Sequence, residues 1–340
     1  MQTTINTATS HKFGAIQSLR ALAAGLVVFQ HITYYVLTAK NINYEPYLKI
    51  DFGRIGVLLF FAISGFVMVG CLNQGHKFLW NRALRIYPAF WMAIGLSALL
   101  LMNPIFGWYF DWTSITLIPT AGGNSSYKIP YWTLMFEVSF YCVAYLFILA
   151  GGKKDTVVIG CMAWLAIIIA ANKYFVFSAM LPGHFVLVSY FNIFFIFGML
   201  AALYIDQLNK IPSALLAVVI ICAWGIGDNI VLSTPIAGNL FLALSFSSVI
   251  LLSLRKLKLP RFELLGDISY GVYLLHVPIA LATIEVLKSS YPSLRLSVLW
   301  LITMCVAAGG SALFGLLEHT FHSRVIKRKR TLGLTRYPAV

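Results

Sequence analysis

Apolar runs bounded by charge, glycine or proline recur along the chain. They predict ten membrane-spanning helices, at roughly residues 15–37, 54–72, 87–103, 131–150, 156–172, 185–204, 212–228, 236–254, 266–287 and 296–317. Each run is close to the ~20 residues that a ~30 Å hydrocarbon core requires. The pattern therefore predicts an all-α polytopic membrane protein of about ten transmembrane helices. The first run, Ile16 to Leu37, is too long for a signal-peptide core and contains Arg20 and His31, so it is read as a span and not a cleaved leader. The longest connection, 104–130, carries Trp108, Tyr109 and Trp112 and is expected to lie in the membrane interface.

Composition sharpens this picture by exclusion. The 340 residues are 60% hydrophobic and 11% charged, with a mean hydropathy of +0.83. Soluble domains carry roughly 25% charged residues. A secreted domain, a soluble dinucleotide-binding enzyme and a nucleic-acid binder are all excluded by that shortage of charge. The net charge of +14 is read as topology, because lysine and arginine accumulate in cytoplasmic loops. With the N-terminus inside, the ten spans place 18 of the 25 basic residues on the cytoplasmic side and 7 on the other. Both termini are thus expected in the cytoplasm, with a short N-terminal segment (1–14), a membrane domain (15–320) and a basic tail (321–340). The tail sequence Lys327-Arg328-Lys329-Arg330 reads as a topology anchor near anionic lipid.

Five cysteines (Cys71, Cys142, Cys161, Cys222, Cys305) lie in or beside apolar runs, unclustered and odd in number. That supports neither a disulfide framework nor a metal site, and they read as small core residues.

The chemistry has few places to be. An ionisable side chain inside a span is costly and marks function by default. Arg20 and His31 fall in the first span, Glu137 in the fourth and His276 in the ninth, while Arg82 and Arg85 stand just before the third. At ~1.5 Å per residue, His31 lies ~22 Å above the inner boundary and Glu137 ~9 Å below the outer one, so their heights agree. A carboxylate beside an imidazole would hold its tautomer for base catalysis. Forked guanidinium groups suit phosphate oxygens. Cytoplasmic arginines and an outer His/Glu level suggest a phosphate-bearing donor entering from one side and an acceptor meeting its reactive end on the other. Ser64 follows a Phe pair with no base beside it in sequence, and reads as a small residue for close helix packing.

Five segments, in order, carry a family resemblance: Ser18-Leu19-Arg20-Ala21-Leu22-Ala23-Ala24 with His31; Gly56 to Phe66; Arg82-Ala83-Leu84-Arg85-Ile86-Tyr87-Pro88; Trp132-Thr133-Leu134-Met135-Phe136-Glu137; and Ile268-Ser269-Tyr270-Gly271-Val272-Tyr273-Leu274-Leu275-His276. Together they resemble acyltransferase family 3, the integral-membrane O-acyltransferases of exopolysaccharide and O-antigen, from about residue 15 to 320. The resemblance implies a multi-pass protein of the bacterial cytoplasmic (inner) membrane. It implies transfer of an acyl group, expected to be acetyl, from cytosolic acyl-CoA to a hydroxyl of an extracytoplasmic polysaccharide or lipid-linked glycan. The donor acetyl-CoA is a substrate, with no permanently bound cofactor, no metal and no nucleic-acid partner; membrane lipid and glycan-assembly proteins are the expected neighbours. Carried over by position, His31 and Glu137 are the catalytic candidates, Arg20, Arg82 and Arg85 the donor-binding ones, and Tyr270, Tyr273 and His276 a further site segment. Some relatives append a soluble transferase domain, and none is expected here after the basic tail. Rival readings are a transporter of a lipid-linked sugar, or a protein that hands its acyl group to a separate transferase. Transport predicts internal repeats, and none is read in the sequence.

Overall fold

The computed structural model of the chain describes residues 2–118, 126–174, 183–256 and 260–327. In chain order the helices are α1 (Gln2–Ala39), α2 (Phe52–Val69), α3 (Lys77–Leu101), α4 (Trp132–Leu149), α5 (Lys154–Tyr174), α6 (Asn192–Leu203), the single turn α7 (Ile205–Leu208), α8 (Ser213–Ile230), α9 (Pro235–Lys256), α10 (Pro260–Asp267), α11 (Ser269–Ser290) and α12 (Leu296–Phe321). Among the described residues there is no strand, and nine helices are long and apolar enough to cross a membrane. The fold is an all-α polytopic membrane protein. The Arg328–Arg330 part of the tail anchor, and residues 257–259 of the basic loop before α10, lie outside the described residues.

The sixth expected span differs from its sequence reading. Its apolar run divides into a 3-10 segment, Gly183–Val188, and the twelve-residue α6. At ~1.5 Å per residue α6 is ~18 Å long, well short of the core thickness. The division is made by Asn192, which is fully buried and donates from Nδ2 to the carbonyls of Val186 (2.7 Å) and Ser189 (2.9 Å). Such bonds compete with helical backbone pairing, an effect invisible to hydropathy.

Helix α1 stands at the centre and packs on α2, α9, α10, α11 and α12. Asp51 caps α2, its carboxylate accepting from the Arg54 backbone N–H at 2.9 Å. Helix α2 crosses α6 at two glycines: a Cβ at Gly65 would collide with the Phe195 carbonyl, and one at Gly198 with the Ala62 carbonyl. Small residues at a crossing let backbones touch where lipid supplies no hydrophobic drive. Helix α3 begins ten residues earlier than the sequence predicts and includes Arg82 and Arg85. Pro88 within it leaves the Leu84 carbonyl without its helical donor.

The connection after α3 is tied back to that helix by side chains. Trp91 Nε1 donates to the Ile115 carbonyl (3.1 Å) and Tyr87 Oη to that of Thr116 (2.5 Å). Trp91 precedes the end of α3 by ten residues, so the segment folds back ~15 Å along the helix. Irregular backbone at that depth needs its carbonyls satisfied by protein, and these two side chains do so. Buried Tyr127 donates to the Asp111 carbonyl, and Ser97 to that of Tyr127, closing the return path.

The cysteines are free, as expected, but not all internal. Cys71 and Cys161 are buried, whereas Cys142, Cys222 and Cys305 are exposed.

Candidate active site

Arg20 and His31 are eleven residues apart on α1. Eleven steps of 100° make three turns and ~20°, so both point from the same face, separated by ~16.5 Å of helix.

The lower end of that face borders a cavity of about 140 Å³. Arg20, Arg82 and Arg85 line it with Glu137, Ser64, Tyr141, Tyr270 and Tyr273, and the rest of its wall is apolar, from Val57, Phe60, Phe61 and Met68 among others. Three guanidinium groups face one lining carboxylate, so the cavity favours an anion. A cavity of ~150 Å³ holds a guest of benzene size. This one therefore accommodates a short acyl thioester end and not a nucleotide.

Each cationic group is held by partners from distant segments. Arg20 Nη1 donates to Gln17 Oε1 (3.3 Å), and Gln17 Nε2 donates to Asp267 Oδ1 of α10 (2.6 Å). Arg82 Nη2 donates to Cys71 Sγ, and its guanidinium stands 5.4 Å from the Phe78 ring and 5.6 Å from that of Tyr141. Arg82 Nε is buried with no partner among the described residues. Arg85 Nη1 donates to Glu318 Oε1 at 2.9 Å, with Tyr270 stacked 5.6 Å from its guanidinium carbon. Tyr270 Oη in turn donates to the Ile86 carbonyl (3.0 Å). Arg82 and Arg85 thus stand within α3 and on the cavity wall, not on the surface in front of a span.

The expected His31–Glu137 pairing is corrected by the structure. Glu137 Oε1 accepts from Tyr141 Oη (2.6 Å) and faces the arginine-lined cavity. The partner of His31 is His276: His31 Nδ1 lies 2.8 Å from His276 Nε2. The ring planes differ by 7° with centroids 5.1 Å apart. A nitrogen separation below any van der Waals stacking distance makes this an edge-to-edge hydrogen bond rather than a face stack. His276 is fully buried, and its Nδ1 lies 3.0 Å from the Val272 carbonyl.

Tyr273 joins the two levels. It lines the cavity, and its ring centroid lies 6.0 Å from His276 and 6.2 Å from Phe60. Its hydroxyl donates to the Pro130 carbonyl (2.8 Å) and pairs with Thr133 Oγ1 (2.7 Å). Above His31, Tyr35 lies 6.3 Å away, and Tyr34 packs edge-on against Tyr44 at 4.8 Å.

Of the sequence candidates, Arg20, Arg82, Arg85, Glu137, Tyr270 and Tyr273 converge on the cavity, while His31 and His276 meet beyond Tyr273. Ser64, read as a packing residue, lines the cavity. Glu318 and Cys71 were missed as site residues. Glu318 had one signal: a carboxylate directly after the last apolar run, too few residues on to reach open solvent.

A family model described as an acyltransferase domain matches residues 13–316. Nodulation protein 10 of Rhizobium leguminosarum bv. viciae is 24% identical over 304 residues, covering 76% of this chain and 80% of that protein. Exopolysaccharide production protein ExoZ of Rhizobium meliloti (strain 1021) is 33% identical over 104 residues, 27% of this chain and 33% of that protein. No solved structure matches.

Proposed function

The chain belongs to this acyltransferase family, and on that premise we propose that it transfers an acyl group, acetyl by cavity size, from acyl-CoA to a hydroxyl of an extracytoplasmic glycan. The membrane is the bacterial cytoplasmic membrane, with the arginine end of the site facing the cytosol. The observation that carries the reading is the succession along one face of α1: Arg20 in an anion-favouring cavity, then His31 beyond Tyr273. The similarity to an exopolysaccharide production protein supports a glycan as the acceptor.

Arg20, Arg82 and Arg85 hold phosphate oxygens of the donor at the cavity mouth, since forked donors match such oxyanions. The apolar wall takes the acyl thioester end, with its carbonyl directed at Tyr273 and the histidine pair beyond it. His31 Nε2 removes the proton of the acceptor hydroxyl as its oxygen attacks the thioester carbonyl. The new C–O bond forms, the C–S bond breaks, and the proton passes from His31 to the departing thiolate. Glu137 balances the arginines and orients Tyr141.

The test is purified protein in lipid nanodiscs, given acetyl-labelled acetyl-CoA and the surface polysaccharide. Label should enter the glycan as an alkali-labile ester. General-base assistance is worth ~10²–10⁴ in rate, so His31→Ala should lose at least about 10²-fold with the protein still inserted. Full transfer by a folded His31→Ala protein overturns the assignment of the base.

A further inference from the structure

We propose that His276 is the positioning residue of the acyl transfer: it fixes His31 as the Nδ1–H tautomer and leaves Nε2 as the only base in the pair. This rests on His31 being the base proposed above.

The Val272 carbonyl has no proton to give, so the His276 Nδ1 that lies 3.0 Å from it must carry the hydrogen. A neutral imidazole with Nδ1–H has a lone pair on Nε2. That lone pair faces His31 Nδ1 at 2.8 Å within nearly coplanar rings, so His31 Nδ1 must be the donor. The proton order is then fixed from the helix backbone outwards, and His31 Nε2 is left unprotonated. No described residue hydrogen-bonds that nitrogen. His276 has both nitrogens engaged and no solvent exposure, which suits a group that orients and does not react.

A neutral acceptor has a different effect from a carboxylate. It holds the ring as firmly, yet it adds no negative charge behind the imidazole. The His31 imidazolium formed in the reaction therefore keeps less hold on its new proton, which favours handing it to the thiolate. The carboxylate nearest in sequence logic, Glu137, is spent on Tyr141 in the cavity.

Two measurements test this. In protein labelled with ¹⁵N-histidine, the His31 resonances, identified by their loss in His31→Ala, should report a protonated Nδ1 and a bare Nε2. A protonated Nε2 on neutral His31 overturns the proposal whether or not the protein transfers acyl groups. In transfer assays, His276→Phe keeps a ring but removes the acceptor, and should lower kcat by about 10²-fold with donor KM changed less than about twofold. His276→Gln restores an acceptor near the Nε2 position and should recover at least about a tenfold part of that loss. Equal losses in both variants, or an undiminished His276→Phe enzyme, overturn it. Loss of the tautomer assignment alone leaves the acyl-transfer reading intact, and persistence of transfer in His31→Ala removes His31 as the base while the resonances still decide the tautomer.

Discussion

Glu318, near the end of the last long helix, places Oε1 2.9 Å from Arg85 Nη1 across 233 residues of chain, and its second oxygen is buried with no partner among the described residues. An arginine on the wall of an anion-favouring cavity is thus already bound to an internal anion. The carboxylate is the more buried partner, at 3% exposure against 24% for the arginine side chain.

The pairing separates the structural from the binding role of Arg85. Removing one partner of a buried pair costs ~3–5 kcal/mol, because the other charge is left alone. Arg85→Ala should lower the Tm of the detergent-solubilised protein clearly, and Arg85→Ala/Glu318→Ala should restore most of it. Donor KM should rise about tenfold in both, the worth of one charge-assisted contact to phosphate. Recovery of donor KM in the double variant would place the donor phosphates elsewhere.

Tyr273 should set the length of acyl chain accepted. It closes the cavity on the side of the histidine pair, braced by Pro130 and Thr133. Tyr273→Ala opens that wall. Each added methylene buried there is worth ~0.8 kcal/mol, so butyryl-CoA should gain about tenfold in kcat/KM relative to acetyl-CoA. An unchanged ratio in a folded Tyr273→Ala protein rejects Tyr273 as the limit.

Helix crossings make a prediction independent of activity. Gly65→Ala and Gly198→Ala each drive a Cβ into a facing carbonyl and should destabilise by at least about 1–3 kcal/mol. Gly95→Ala and Gly225→Ala meet nothing within 4 Å and should be neutral or stabilise by up to ~1 kcal/mol. Thermal melting in one detergent compares all four.

The short helix α6 decides the handedness of the topology. If α6 with the preceding 3-10 segment crosses, single cysteines at Lys173 and Lys210 react with an impermeant maleimide from opposite sides in a background cleared of native cysteines, with Lys210 cytoplasmic. That outcome gives an even number of crossings and both termini inside. Labelling of both from the same side makes α6 re-entrant and puts the termini on opposite sides.

Helix positions were legible because hydrophobic runs report burial locally, and the five motifs named the residues that converge on the cavity. What the sequence concealed was direction around each helix. The rise per residue put His31 and Glu137 at matching heights, but height says nothing of which face meets which neighbour. The actual partners, His31 with His276, Arg85 with Glu318 and Gln17 with Asp267, are each more than 230 residues apart. Glu318 lies just beyond the last apolar run, and the sequence does not show that α12 continues past that run and buries it. Likewise the run at 185–204 read as one unbroken helix because an apolar run does not reveal that the Asn192 amide donates back to the carbonyls of Val186 and Ser189.

Because Arg20 and His31 are carried by one continuous helix, the interval between them is a rigid gauge that no loop movement can stretch. Whatever is held at the arginine end must present its reactive carbon one fixed reach away. In the proposed reaction, selection of the donor depends on the length of its flexible arm as much as on the identity of its head. A single residue inserted between Ala21 and Gln30 would lengthen the gauge by only ~1.5 Å but swing the histidine by ~100°, out of reach of its partner. The constraint is angular before it is linear, and it makes the interval from Arg20 to His31 intolerant of insertion.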